Sequence, residues 1–311
     1  MSRRHPPRLV VLGSINMDLV VHCQELPVPG QTIMAESSSE FCGGKGANQA
    51  VAASLAGGEV TIIGAVGSDA FADRLIDNLK THGVDCESVS RCDDHASGLA
   101  VIAVDSRGQN SIMVVPGANA AVTPDRVRAA ESIIKESDCL MVQLEIPVES
   151  VLEGIRIARK HGIRVIVDPA PAPTDFPTSL LEVDFICPNE TEATALTGLP
   201  VTTVEQATAA AIRLHELGAK VVAITMGEKG TLLHHDGKST LVPAIRVEAI
   251  DATAAGDAFA GALAVRWAQT DDLLDAVSFA NTAGGIAASR HGAQDSIATY
   301  EEILKFRKQE T

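Results

Sequence analysis

Short apolar runs alternate with segments of helical periodicity through most of the chain, which predicts repeated strand–helix–strand units. Residues 8–13 read as a buried strand, residues 46–56 as a helix of small side chains and residues 60–65 as a second strand. In the next segment Phe71, Leu75, Ile76 and Leu79 fall on one helical face. From residue 139 the order is CLMVQL, a helix to His161, IRVIVD and VDFICP, then a helix whose Thr202-x-x-Glu205 spacing suits a capping box. KVVAITMG, a strand near Val247 and long helices after Gly256 complete the pattern. The expected fold is α/β, with a mainly parallel central sheet flanked by helices on both faces.

Two stretches lack an intervening helix: MDLVVHC with QTIMAESSSEF, and SGLAVIAVD with QNSIMVV. The second pair is joined by a turn holding Ser106, Arg107 and Gly108, a hairpin signal. These strands are expected to form a small β-sheet lid, inserted at about 17–42 and 97–116 of one α/β domain spanning residues 1–311.

Composition narrows the function. Hydrophobic residues make up 46% and charged residues 21%, the balance of an ordinary globular chain. Only 3% are aromatic and the net charge is −15, so base stacking and phosphate-backbone binding are both disfavoured and no nucleic-acid partner is expected. Cys23, Cys42, Cys86, Cys92, Cys139 and Cys187 form no CxxC pair and read as small buried residues of a reducing, cytoplasmic compartment. His82, Cys86, Cys92 and His95 fit no common zinc spacing. The N-terminal apolar run is short, lacks a small-x-small cleavage site and breaks at Asn16 and Asp18, so it reads as a first strand rather than a signal peptide. No window holds the ~18 unbroken apolar residues of a membrane span.

Candidate chemistry gathers where strands end, the edge at which parallel sheets bind ligands. Asn16 and Asp18 follow the first strand, Glu145 follows CLMVQL, and Asn189 to Glu192 follow VDFICP. FCGGKGANQ fits neither a dinucleotide fingerprint nor a Walker loop. It reads as a turn and helix cap, or as a cradle of backbone amides with Lys45 and Asn48 for a hydroxyl-rich ligand. In DATAAGDAFAGAL, Gly256 and Asp257 open a helix among small residues, so the N–H groups of Ala254, Ala255, Gly256 and Asp257 form a candidate anion hole. Asp257 is either a helix-terminal carboxylate, worth about 0.5 kcal/mol through the dipole, or a base beside that hole. A carboxylate weakens anion binding there unless it is needed, which favours the second reading.

Taken in order, SINMD, GGKGAN, MVQLE, NETEA, ITMGEKG, DATAAGDAFAGAL and RHGAQDS resemble the PfkB-type carbohydrate kinases from about Leu9 to Ser296. The resemblance implies ATP-dependent phosphorylation of D-ribose at O5, with Mg2+ and K+, by a homodimer joined through its lid strands. Apolar lid positions Val20, Ile33, Val101 and Ile112 agree with such an interface. By the same resemblance Asn16, Asp18, Gly44, Lys45, Gly46, Ala47, Asn48, Glu145 and Asp257 would bind the sugar, and Asp257 would be the catalytic base. Asn189, Glu192, Thr225, Met226, Gly227, Glu228, Lys229, Gly230, Gly256, Asp257 and Asn281 would serve ATP. Asp251, Thr253, Ala287, Arg290, Gly292 and Ser296 match a potassium site. The broader family prefers D-T-x-G-A-G-D, whereas Ala252 and Ala254 replace Thr and Gly here; Ala254 should be tolerable if its φ/ψ suits alanine. The alternatives are a kinase for another sugar or a nucleoside, or a catalytically silent sugar-binding protein. Scarce aromatics weigh against a purine nucleoside.

Overall fold

The computed structural model describes residues 5–172 and 176–309. Its strands begin with β1 Arg8–Leu12, β2 Asn16–His22, β3 Ser37–Gly43, β4 Glu59–Val66, β5 Val84–Asp85, β6 Val89–Arg91, β7 Gly98–Val104 and β8 Asn110–Val115. They continue with β9 Cys139–Val142, β10 Arg164–Val167, β11 Phe185–Ile186, β12 Val221–Thr225, β13 Thr231–His235 and β14 Lys238–Val242. The helices are α1 Lys45–Leu55, α2 Ala70–Thr81, α3 Pro124–Ala129, α4 Glu131–Lys135, α5 Val148–His161, α6 Glu190–Thr197, α7 Val204–Glu216, α8 Ala255–Thr270, α9 Leu273–Ala288 and α10 Tyr300–Gln309.

The large sheet runs β14-β13-β12-β11-β10-β9-β1-β4-β5, with β6 also on β4. It is parallel from β12 to β5, and β13 and β14 add an antiparallel edge. Successive residues of its strands serve opposite cores. Leu9, Val11, Ile62 and Met141 pack under α1, α2, α8 and α9, while Val10, Leu12, Ile63 and Leu140 pack under α3, α5 and α7. Burial on both faces is why these strands read as continuous apolar runs.

The small residues of α1 and α8 have a packing role. A Cβ added at Gly261 would lie 2.6 Å from Ala52 Cβ and 2.7 Å from Ala53 N, so the two helices touch nearly backbone to backbone. That contact sets the start of α8 beside the first turn of α1.

The four irregular strands form a separate sheet in the order β3-β2-β7-β8, with β2 and β7 parallel and the outer pairs antiparallel. Three readings need correction. The second lid strand begins at Ser37; Gln31 to Glu36, Ile33 included, precede it as loop, because the polar run is what pairs with β2. Residues 243–250 form no strand near Val247, because β14 already ends the sheet at Val242 and offers them no pairing partner. Thr203 rather than Thr202 caps α7, accepting the Gln206 N–H at 3.3 Å, while Thr202 bonds the Gln206 side chain.

Candidate active site

The chain crosses from the large sheet to the small one between β1 and β2, and Ser14 sits at that crossing. Its hydroxyl donates to Glu145 Oε2 (2.5 Å) and accepts the Gly46 N–H (3.3 Å), and its carbonyl accepts the Ala47 N–H (2.9 Å). Glu145 Oε2 also accepts the Lys45 N–H at 3.2 Å. Glu145 therefore braces the GGKGAN turn. Gly44 turns at φ 89°, and a side chain there would meet Asn16 N at 2.7 Å. Glycine is required by both conformation and space. Asn16 is buried and accepts from Asn119 Nδ2 at 2.7 Å.

Asp257 is buried in the first turn of α8. Asn48 Nδ2 donates to its Oδ2 (3.0 Å) and Gln49 Nε2 to its Oδ1 (3.1 Å). Asp18, Lys45, Glu145, Asp168 and Glu192 complete a concentrated charge cluster. Burial, reinforced by the charges of Glu145 and Asp257, pushes the Asp18 carboxyl up to about 7. Asp168 is likewise pushed up to about 7 by burial, which with Glu192 and Asp257 outweighs Lys45 at 3.8 Å. Burial opposes the Lys45 ammonium, but Asp168, Asp257, Glu145 and Glu192 together hold it above its ordinary range. The cluster thus holds a fixed cation among acids that gain from positive charge or a hydrogen-bond donor.

At the tip of α8 the N–H groups of Gly256 and Asp257 have no acceptor among the described residues, whereas Ala255 N–H is bonded to Ala252 O at 3.2 Å. A Cβ at Gly256 would meet nothing within 4 Å, so the space before these donors is open. Ala254 adopts φ 58°, ψ 6°, the left-handed region, which does not suit alanine. Such a residue costs about 1–2 kcal/mol, so the condition set for Ala254 is not met: the turn needs this conformation and keeps it under strain.

Asn189 and Glu192 close a capping box at α6, with Asn189 N to Glu192 Oε2 and Glu192 N to Asn189 Oδ1 both 2.8 Å. Thr225, Met226, Gly227, Glu228, Lys229 and Gly230 form the turn after β12, with Gly227 at φ 54° and Gly230 at φ 101°. Asn189 bridges to Thr225, which brings the two segments together. Lys229 Nζ is held by Thr202 O (2.8 Å) and Glu190 (3.5 Å). Asn281 accepts from Thr231 Oγ1 (2.6 Å) and donates to Val242 O and Pro243 O, so its side chain ties down the sheet edge behind this turn.

Asp251 accepts from Thr253 N (2.9 Å), Thr253 Oγ1 (2.6 Å) and Gly292 N (3.1 Å). Burial opposes them, yet these donors hold its carboxyl below the ordinary range. An anionic oxygen fixed where two loops meet fits a hard cation. Ala287 O accepts Arg290 N–H at 3.1 Å, Ser296 Oγ donates to Ala293 O at 2.7 Å, and the Arg290 guanidinium pairs with Glu302. Asp251 thus joins Thr253 and Gly292, and Ala287 joins Arg290, while Ser296 bonds outside the set. A cleft of about 400 Å3 separates this corner from the small sheet, lined by Asp18, Val20, Phe41, Ile102, Asp251 and His291. Among the described residues, no group of three or more His, Cys, Asp or Glu is arranged to hold a metal, and no helix is long and apolar enough to cross a membrane.

Sequence reasoning missed Gln49, Asp168 and Gln143. Asp168 ends the apolar run IRVIVD, a signal of the same kind as the other strand ends. The two glutamines gave none, since their partners lie about a hundred residues or more away.

A profile described as pfkB family carbohydrate kinase matches residues 6–299. A ribokinase of Haemophilus influenzae is 38% identical over 298 residues, covering 96% of this chain and 97% of its own length. A deoxyribokinase of Salmonella typhimurium is 37% identical over 96% of this chain and 98% of its own. Among solved structures, Arabidopsis thaliana ribokinase complexed with ribose and ATP superposes with a TM-score of 0.89 at 33% identity, covering 98% of this chain and 99% of that one. With the family profile spanning nearly all the residues that build the two sheets and the cleft between them, the chain belongs to the pfkB family of carbohydrate kinases.

Proposed function

We propose that the protein transfers the γ-phosphoryl group of ATP to O5 of D-ribose, with Asp257 as general base. The observation that carries this is the tip of α8. A buried carboxylate there adjoins two N–H groups that open onto an unobstructed space. Asn16, Asp18, Lys45, Asn48 and Glu145 form the sugar wall, and two of the acids among them would accept hydroxyl donors. As the O5–P bond forms and the bond to the β-phosphate oxygen breaks, the O5 proton moves to Asp257. Phosphoryl transfer is loose, so a strong base is not required and most of the rate comes from positioning and charge stabilisation. Gly256 and Asp257 N–H and the Lys45 ammonium would stabilise the migrating group.

ATP would lie along the turn from Thr225 to Gly230, with its phosphates toward α6 and α8. Magnesium would be held on those phosphates near Asn189 and Glu192, where it neutralises charge. Potassium would be held at Asp251 and neighbouring carbonyls, where its charge supports the loop before α8. The two sheets would act as one domain. The apolar edge strand β8, with Ile112, Met113, Val114 and Val115 each about half exposed at 48–63%, would pair two copies through their small sheets. Six free cysteines suit a reducing cytoplasm.

A deoxyribokinase among the relatives makes 2-deoxyribose the second reading. ADP release measured side by side with ribose, 2-deoxyribose, fructose and adenosine tests both. Ribose is expected to lead; release without any sugar, or preference for fructose or adenosine, would overturn the proposal.

A further inference from the structure

The carboxylate of Asp257 is gripped from one side by two adjacent residues of α1. Asn48 takes Oδ2 and Gln49 takes Oδ1. Gln49 Nε2 also lies 2.7 Å from Asp168 Oδ2, so the two N–H bonds of one amide serve two acids. Its carbonyl accepts from Gln143 Nε2 at 2.5 Å, which decides which end of the amide faces the acids. Gln143 in turn is wholly buried, and its Oε1 has no partner among the described residues. That oxygen lies over Gly13, where a Cβ would come within 2.0 Å of it. A core arranged for stability alone would not leave a buried acceptor unmatched.

We infer that Gln49 is a positioning residue for the phosphoryl transfer: held by Gln143, it fixes the Asp257 carboxylate and separates it from Asp168. The inference rests on Asp257 being the base. Without the clamp, Asp257 loses a donor and can rotate away from the hydroxyl it must deprotonate. Neither glutamine reaches the cleft, so ligand affinity should not depend on them.

Gln49→Met keeps the length of the side chain and removes the donors. It should lower kcat by about tenfold to hundredfold, with ribose and ATP-analogue dissociation constants changed by less than about threefold. Gln143→Met should lower kcat less, and the double variant should be no worse than Gln49→Met alone. Full turnover in Gln49→Met, a parallel loss of ribose affinity, or additive losses would each overturn the inference. If Gln49→Met does not fold, Gln143→Met decides alone, because unchanged turnover there removes the relay. Asp257→Asn run alongside separates the two readings: an inactive Asp257→Asn with an active Gln49→Met sinks only the clamp, whereas an active Asp257→Asn sinks the base itself.

Discussion

Gly256→Ala should separate stability from catalysis. Gly256 lies in the first turn of α8 with ordinary helical backbone, and an added Cβ has no neighbour within 4 Å. The apo protein therefore has nothing to resist a methyl group. Removing a glycine from a helix reduces the freedom of the unfolded chain, a gain of about 0.5–1 kcal/mol. For a chain of this size that is about 1–3 °C in Tm. On the proposed function, the same methyl would stand in the space of the migrating phosphoryl, beside the Gly256 and Asp257 donors. A methyl that holds the phosphoryl away from one such donor should cost about as much as losing it, about 2.7–4 kcal/mol or about 10²- to 10³-fold in kcat. Thermal melting without ligands and ADP release at saturating ribose and ATP measure the two effects. A kcat within about threefold of wild type would show that the phosphoryl does not pass there, and a lowered Tm would show that the site is not open.

Asp257→Asn should lose about 10²- to 10⁴-fold in kcat while calorimetry finds both ligands bound as before; weakened ribose binding of the same size would contradict the base assignment. Burial raises the Asp18 carboxyl from 3.8 to about 7. Its contribution to stability is therefore full below the unfolded value and fades as pH rises through about 7. Asp18→Asn should accordingly raise Tm more at about pH 8 than at about pH 5 while weakening ribose binding; an equal gain at both would refute the linkage. Val114→Lys on β8 should give a monomer by sedimentation, and a persistent dimer would place the interface elsewhere.

The parallel sheet was legible because burial on both faces leaves unbroken apolar runs such as RLVVL and CLMV. Asp257 stood out because a carboxylate weakens anion binding at a helix start, and the structure buries it in the first turn of α8. Where β3 begins was not legible: the polar Ser37 to Glu40 pair with β2 while the more apolar Gln31 to Ala35 stay in the loop, so pairing overrides intrinsic preference. The capping box of Asn189 and Glu192 follows a local signature, an N-cap residue three positions before a glutamate. The strain at Ala254 depends on φ, which no residue name discloses. Gln49 was silent for another reason: its chemistry comes from Asp168 and Asp257, which folding alone delivers.

The proposed sugar wall is divided between two bodies. Asn16 and Asp18 ride on β2 of the small sheet, while Lys45, Asn48, Glu145 and Asp257 stand on the large one. The chain passes between the bodies through segments that press on those same residues: Gly43 against Asp18, Gly44 and Gly98 against Asn16. A sugar seated between them would act as a rivet. Each hydroxyl it presents would fasten one body to the other, so deleting a hydroxyl would loosen the joint itself as well as the grip on the guest.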